Sequence, residues 1–340
     1  MSDVTILFGG GSSERRVSVA SAQHVSAILE DAATWFLAPS GAVLDVKRDE
    51  LQRFERPFEN DFRPSGTAAF GALLEALESA PGRVFFLALH GGEGEDGTIQ
   101  RMLEVRRIAF TGPGAEASAH AFDKEVAKQI ADAAGVSIAK SVHLSKDPRV
   151  LRQELADMLD LYQRVVAKPV AGGSSVGLYH LLSADEVERA ARGIEESGEH
   201  YLAEEFVEGT ELTVGVVDGP SGARALPPSE VRVEPGRAFD YEGKYLGKGT
   251  RELTPAQVPA EVSRAAQEMA LEAHRALGCE GYSRTDIIAS KRGPVFLELN
   301  TLPGLTRASF LPQQLAAEGT SMRNFLEGQI EIARKRRDRG

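Results

Sequence analysis

The stretch "VVAKPVAGGSSVGL", Val165 to Leu178, decides how the fold is read. An apolar strand ends on Lys168 and Pro169, and a loop nearly free of side chains follows at once. Bare backbone N–H groups in such a loop can approach an anion closely, which is why Gly/Ser loops after strands wrap phosphates. The order is not G-x-x-x-x-G-K-[ST], because Lys168 precedes the glycines. If the loop serves a nucleotide, it does so by another arrangement than the P-loop.

Composition sets the outer bounds. The chain has 340 residues, 42% hydrophobic and 26% charged, which predicts an ordinary globular protein of two or three domains. A net charge of −11 disfavours nucleic acid as the main partner. A single cysteine, Cys279, forbids an intrachain disulfide and fits a reducing compartment. The segment "MSDVTILFGGG" has neither a basic start nor a long apolar core, so no signal peptide is expected. No apolar run approaches the roughly 18 residues of a membrane span. The expected location is the cytoplasm, without membrane contact.

Outward from the loop, strands and helices alternate. "VTILF", Val4 to Phe8, reads as a buried strand that breaks into "GGGSSERR" and a helix from about Val17 to Asp31. Gly9, Gly11 and Glu14 give G-x-G-x-x-E, a dinucleotide fingerprint without its third glycine; a substrate-binding turn fits it as well as NAD does. "RVFFLALHGGEGEDG" repeats the arrangement, with a strand to Leu89 and a helix from Thr98. An open α/β domain with ligands at the strand C-terminal ends is predicted. "FDKEVAKQIADAAGV" is a helix closed by Gly135, and "SADEVERAARGIEESG" starts as a capping box of Ser183 and Glu186. "YLAEEFVEG" and "ELTVGVVDG" read as strands around a turn at Gly209, and "PAEVSRAAQEMALEAHRALG" as an amphipathic helix ending at Gly278. The last segment places Met322, Phe325, Leu326 and Ile330 on one helical face, and its "RKRRDR" tail reads as solvated charge.

"SRTDIIAS" and "PVFLELN" flank a turn at Lys291 to Gly293 and predict a hairpin. Glu298 and Asn300 are two apart and share a face, leaving Val295, Leu297 and Leu299 to the other. Asp286 can sit across from them. Two carboxylates and an amide oxygen are hard donors suited to Mg²⁺, although an outward-facing polar hairpin would show the same spacing. "TLPGLT" then fixes a turn beside the site at Pro303 and Gly304. Lys168 can contact phosphate or lie along a sheet edge. Lys124, read alone, is surface charge. The adjacent acids Glu204 and Glu205 can read adenine and ribose.

Together these pieces resemble the D-alanine–D-alanine ligase family of the ATP-grasp superfamily. "HGGEGEDGTIQ", His90 to Gln100, fits the family's H-G-x-x-G-E-D-G-x-x-Q, and "GGGSSERRVS" resembles its N-terminal G-G-x-S-x-E-x-x-V-S. "VVAKPVAGGSSVG", "EEFVEGTELTV", "FDYEGKY" and "GYSRTD" follow in order, and "LELNTLPGLTRAS" matches E-x-N-T-x-P-G-x-T. The likeness runs from about Val4 to Phe310. Arg16 and Gly172 stand where relatives often carry acids, and Trp35 to Pro64 matches no family motif.

The resemblance implies an α/β fold: an N-terminal α/β domain over residues 1–120, then two ATP-grasp subdomains over 121–210 and 211–340, with nucleotide between them. It implies transfer of the ATP γ-phosphoryl to a first D-alanine, then attack by the amine of a second, for peptidoglycan precursor synthesis. Asp286, Glu298 and Asn300 would hold two Mg²⁺, for which Mn²⁺ can substitute. Lys124 and Lys168 would bind inner phosphates, and Lys244 the transferred one. Glu204, Glu205 and the Val207 backbone would read adenine, and Glu211 the ribose. Arg284 and the Gly304 N–H would form the oxyanion hole. Glu14 would bind the first ammonium with His90 nearby, and Ser309 and Phe310 would position the second D-alanine. Ser174 and Tyr245 would link the glycine-rich lid to Glu14. A homodimer follows from family habit. Alternatives are a ligase for another acceptor (D-lactate, D-serine or another amino acid), a non-catalytic nucleotide-binding regulator, and, on the N-terminal glycines alone, an NAD enzyme.

Overall fold

A computed structural model describes residues 3–173, 176–233 and 250–339. The first sheet holds β1 (Val4–Gly9), β2 (Ala33–Leu37), β3 (Val43–Val46), β4 (Val84–Leu89) and β5 (Ala109–Phe110), in the order β3-β2-β1-β4-β5. β1 pairs in parallel with both β2 and β4, and every one of its residues is buried, as a central strand covered on both faces requires. Helices α1 (Arg15–Ile28), α2 (Arg48–Arg53), α3 (Leu73–Glu78) and α4 (Thr98–Val105) connect these strands. The stretch from Trp35 to Pro64, which matches no motif, completes this unit with β3, α2 and an aromatic cluster. Phe62 packs within 6.1 Å of Phe8, 5.5 Å of Phe36 and 5.1 Å of Phe54. Asp61 from the same stretch pairs with Arg15 and Arg16, which gives the unexpected Arg16 a partner.

Helices α5 (Ala115–Phe122) and α6 (Lys124–Ala133) lead onward, and Asp123 caps α6 by accepting from the Glu125 and Val126 amides. The second sheet has the order β6-β9-β7-β8, with β6 (Ser141–His143), β7 (Val165–Pro169), β8 (Tyr179–Leu181) and β9 (Tyr201–Glu205). Helices α7 (Pro148–Tyr162) and α8 (Ala184–Ser197) close its core through Leu151, Leu155, Val187, Ala190 and Ile194. The third sheet runs β13-β12-β10-β14-β15, with β11 paired to β10. Its members are β10 (Gly209–Gly219), β11 (Gly222–Ala225), β12 (Ser229–Val233), β13 (Thr250–Leu253), β14 (Tyr282–Ser290) and β15 (Gly293–Asn300). Helix α9 (Ala260–Ala276) packs against it, followed by α10 (Phe310–Glu318) and α11 (Met322–Arg339).

Four expectations need correction. The turn expected at Gly209 does not form: Gly209 opens β10, β9 and β10 belong to different sheets, and the chain crosses between units there. Ser183 makes no side-chain cap of α8; Glu186 instead turns back to accept from the Leu182 amide at 2.6 Å. In β15 the alternation fails at a bulge. Asp286 pairs with Glu298 but Ile287 with Phe296, so Leu297 is extra and Phe296 joins Leu299 in the core. The basic tail is also not merely solvated. Arg336 donates to the Phe110 and Gly112 carbonyls and stacks 4.0 Å over the Phe110 ring, and Arg334 pairs with Asp3. Thus α11, buried through Phe325, Leu326 and Ile330, joins the core of the first sheet. No helix among the described residues is long and apolar enough to cross a membrane.

Candidate active site

A cleft of about 1100 Å³, counting space open to solvent, lies where the units meet. It gathers Glu14, His90, Lys124, Arg284, Glu298 and Asn300, and beside them Gly304, Ser309 and Phe310. Four come from the ends of elements: Glu14 precedes α1, His90 follows β4, Lys124 begins α6, and Asn300 ends β15. Hydrogen bonds hold the loop after β15 against α1. The Leu305 amide donates to Ser21 Oγ at 3.2 Å, and His24 Nδ1 lies 2.6 Å from the Leu305 carbonyl. Helix α10 is stitched to the third sheet by buried Gln314, which accepts from the Gly215 amide and donates to the Thr213 carbonyl, both at 2.8 Å.

Asp286 and Glu298 face one another across the hairpin, and Arg284 pairs with Asn300 in the same register. The Arg284 guanidinium forks both Asp286 oxygens at 3.0 and 2.9 Å, Thr213 Oγ1 donates to Asp286 at 2.5 Å, and Asn300 Nδ2 lies 3.4 Å away. Lys124 Nζ sits 3.7 Å from Glu298 and donates to the Gly172 carbonyl at 2.6 Å. Among the described residues no three His, Cys, Asp or Glu side chains cluster to hold a metal. Two carboxylates and an amide, with phosphate oxygens completing the shell, are nevertheless what Mg²⁺ takes. The cations now beside both carboxylates show that the site favours positive charge.

The glycine-rich loop descends on Glu14: a Cβ added at Gly173 would lie 2.9 Å from a Glu14 oxygen, so a larger residue there would displace the Glu14 carboxylate. At Gly304 a Cβ would lie 2.7 Å from Ser309 Oγ. His90 is buried, its ring 2.9 Å from Ser21 Oγ. Burial pulls its pKa down to about 4, so the ring is neutral at pH 7. Two cleft carboxyls went unread in the sequence. Glu95 is pushed up to about 8 by burial and by the neighbouring Glu14 charge, and Glu252 up to about 7 by burial. Phe58, from the stretch without motifs, also lines the cleft.

The residues expected at the base lie apart from this cleft. Lys168 on β7 reaches Glu204 on β9 at 2.8 Å, and buried Lys128, unread in the sequence, bonds the other Glu204 oxygen. Lys124 and Lys128 are one turn apart on α6, so one helix connects the two places. Burial pushes the Glu204 carboxyl up, but Lys168 and Lys128 outweigh it and hold it below the usual carboxylate range. Two ammonium groups sharing one carboxylate leave a surplus positive charge. Glu205 faces the other way, held by Arg292 and the Lys140 amide. Val207 lies between β9 and β10, and Glu211 on β10. Ser174, Lys244 and Tyr245 lie outside the described residues.

Removing the carboxylate should be costly. Glu204→Leu leaves two buried ammonium groups facing each other, and unfolding should become easier by about 3 kcal/mol, the scale for breaking a buried pair. Denaturant titration reads this, and an unchanged midpoint would show that the three groups are not coupled.

Residues 3–113 match the family described as D-ala D-ala ligase N-terminus, and residues 130–331 that described as D-ala D-ala ligase C-terminus. A D-alanine–D-alanine ligase of Leptospira interrogans is 34% identical, with 99% of each chain covered. One from Acidiphilium cryptum is 38% identical, covering 98% of this chain and 99% of the relative. Among solved structures, the VanG D-Ala:D-Ser ligase from Enterococcus faecalis superposes with a TM-score of 0.79 at 27% identity, covering 97% of this chain and 98% of that one. The second and third sheets, following the N-terminal α/β unit, form the ATP-grasp fold. The chain belongs to the D-alanine–D-alanine ligase family.

Proposed function

We propose that the protein joins two D-alanines at the expense of ATP, through an acyl phosphate, to supply the dipeptide for peptidoglycan synthesis. One observation carries the reading: a single cleft brings Arg284, Glu298 and Asn300 from the third sheet to Glu14 and His90 from the first. An ammonium group can be held at Glu14 while a carboxylate oxygen lies near the cationic and hard-donor groups. Asp286, Glu298 and Asn300 would hold Mg²⁺, which screens the phosphate charges and steadies the transferred phosphoryl group. Lys124 and Lys168 face the phosphates, and Lys244 the one transferred. Glu204, Glu205, Val207 and Glu211 take the adenosine. Arg284 and the Gly304 N–H donate to the oxygen where charge develops. Ser309 and Phe310 place the acceptor, and neutral His90 orients the first substrate. Ser174 and Tyr245 would link the glycine-rich loop to Glu14. The units are 1–120, 121–210 and 211–340, and the working form is a cytoplasmic homodimer.

The likeness to a ligase named for D-serine favours one second reading, with D-serine as acceptor. Phosphate release from ATP, measured with D-alanine alone and with D-alanine plus D-serine, D-lactate or L-alanine, separates them. Turnover with D-alanine alone is the expected result. Turnover that needs a second compound would replace the acceptor, and none with any amino acid would end the ligase reading.

A further inference from the structure

Glu252 stands on β13, the outermost strand of the third sheet among the described residues. The register runs from Glu252 to Val231 to Glu211 across β13, β12 and β10, and β10 sets Thr213 against Asp286 and Gly215 against Arg284. Alternation therefore puts Glu252 on the same face as Arg284, Asp286, Glu298 and Asn300. It lines the cleft with Ser309 and Phe310, and the Gln313 side chain, in the first turn of α10, hydrogen-bonds its carboxyl.

We propose that Glu252 binds the ammonium group of the acceptor amino acid and takes a proton from it, freeing the amine to attack. This rests on the ligase reading above. An amino acid is a zwitterion at neutral pH, and its ammonium nitrogen has no lone pair. The start of α10, where Ser309 Oγ lies 2.8 Å from Thr306 Oγ1 and makes no side-chain cap, offers the positive end of the helix dipole to the carboxylate end. Glu252, bonded to Gln313 in the same helical turn, offers the negative charge for the ammonium end.

Among the described residues three groups bear on it. The Arg284 charge on β14 opposes the upward push of burial; Gln313 on α10 is neutral; Glu211 on β10 is separated from it by Val231. Glu230 and Arg232 on β12 point to the other face and pair with each other. A carboxyl lifted to about 7 can take a proton and return it to solvent at neutral pH. The rival bases fit less well: His90 is too weak at about 4, and Glu95 lies under the charge of Glu14, the residue proposed for the first substrate's ammonium.

The step balances. The ammonium gives one proton to Glu252, and the nitrogen lone pair forms the C–N bond at the acyl-phosphate carbonyl. The tetrahedral intermediate then collapses, the C–O bond to phosphorus breaks, and phosphate leaves with the electron pair. The second nitrogen proton goes to the departing phosphate, and Glu252 releases its own to water.

Hydroxylamine separates the two half-reactions, since it is already a neutral nucleophile and needs no base to trap the acyl phosphate as a hydroxamate. Glu252→Gln should lower dipeptide formation about a hundredfold, the low end of general-base contributions, and keep hydroxamate formation. Wild-type kcat/KM for the acceptor should rise with pH through about 7, as Glu252 ionises, and the variant should lack that limb. Normal dipeptide synthesis by the variant, or equal loss of both products, overturns the assignment. A wild-type protein that makes neither product overturns the ligase reading itself.

Discussion

Glu298→Gln is expected to lower kcat by at least about a hundredfold, or about 2.7 kcal/mol of barrier, with the fold intact. The side chain stands opposite Asp286 in the hairpin register and 3.7 Å from Lys124. Gln keeps its shape and its place beside the bulge, so the core packing of Leu299 and Phe296 on the other face should persist. What disappears is one negative charge of the two carboxylates that favour a divalent cation. Metal-assisted stabilisation of transferring phosphoryl groups is worth several kcal/mol, so half the anionic pair should not sustain it. Steady-state turnover at saturating ATP, with Mg²⁺ titrated, checks this. Near-normal turnover at ordinary Mg²⁺ would remove Glu298 from the metal set.

Arg284→Lys should be nearly as damaging, with a loss in kcat of about a hundredfold to a thousandfold, the range for one oxyanion donor. The guanidinium is already placed by two bonds to Asp286 and lies 5.9 Å from the Phe310 ring. A lysine keeps the charge but cannot fork a carboxylate and donate into the cleft in one plane. Asp286 would lose its anchor as well. KM for ATP should change little, because Glu204, proposed for the adenosine, and Lys168, proposed for the inner phosphates, lie outside that cleft. A variant that lost ATP affinity and kept kcat would move Arg284 to a nucleotide role.

The hairpin was legible because strand alternation is a strict rule. Asp286, Glu298 and Asn300 were found from spacing, and their register agrees. The same rule misplaced Phe296 and Leu297, since a bulge leaves no mark in composition. The parallel core of the first unit was readable from "VTILF" and "RVFFLALH", runs apolar on both faces. Lys128 was not, because its use depends on Glu204, which is 76 positions further along the chain. Glu95 and Glu252 read as ordinary acids: burial raises them, and burial is a property of the packed cleft. Phe58 and the docking of α11 on the first sheet are likewise long-range facts. The turn expected at Gly209 gives way to a crossing between sheets, because two strands flanking a glycine look alike whether they pair or part.

The most direct test follows an oxygen atom. If the first D-alanine carboxylate attacks the γ-phosphorus, one of its oxygens must leave with phosphate when the second amine displaces it. D-alanine labelled with ¹⁸O in the carboxyl group, turned over with ATP and Mg²⁺, should give phosphate carrying one labelled oxygen. One ADP should form for each D-alanyl-D-alanine. Dipeptide formed with unlabelled phosphate, or ADP released without dependence on D-alanine, would contradict the account.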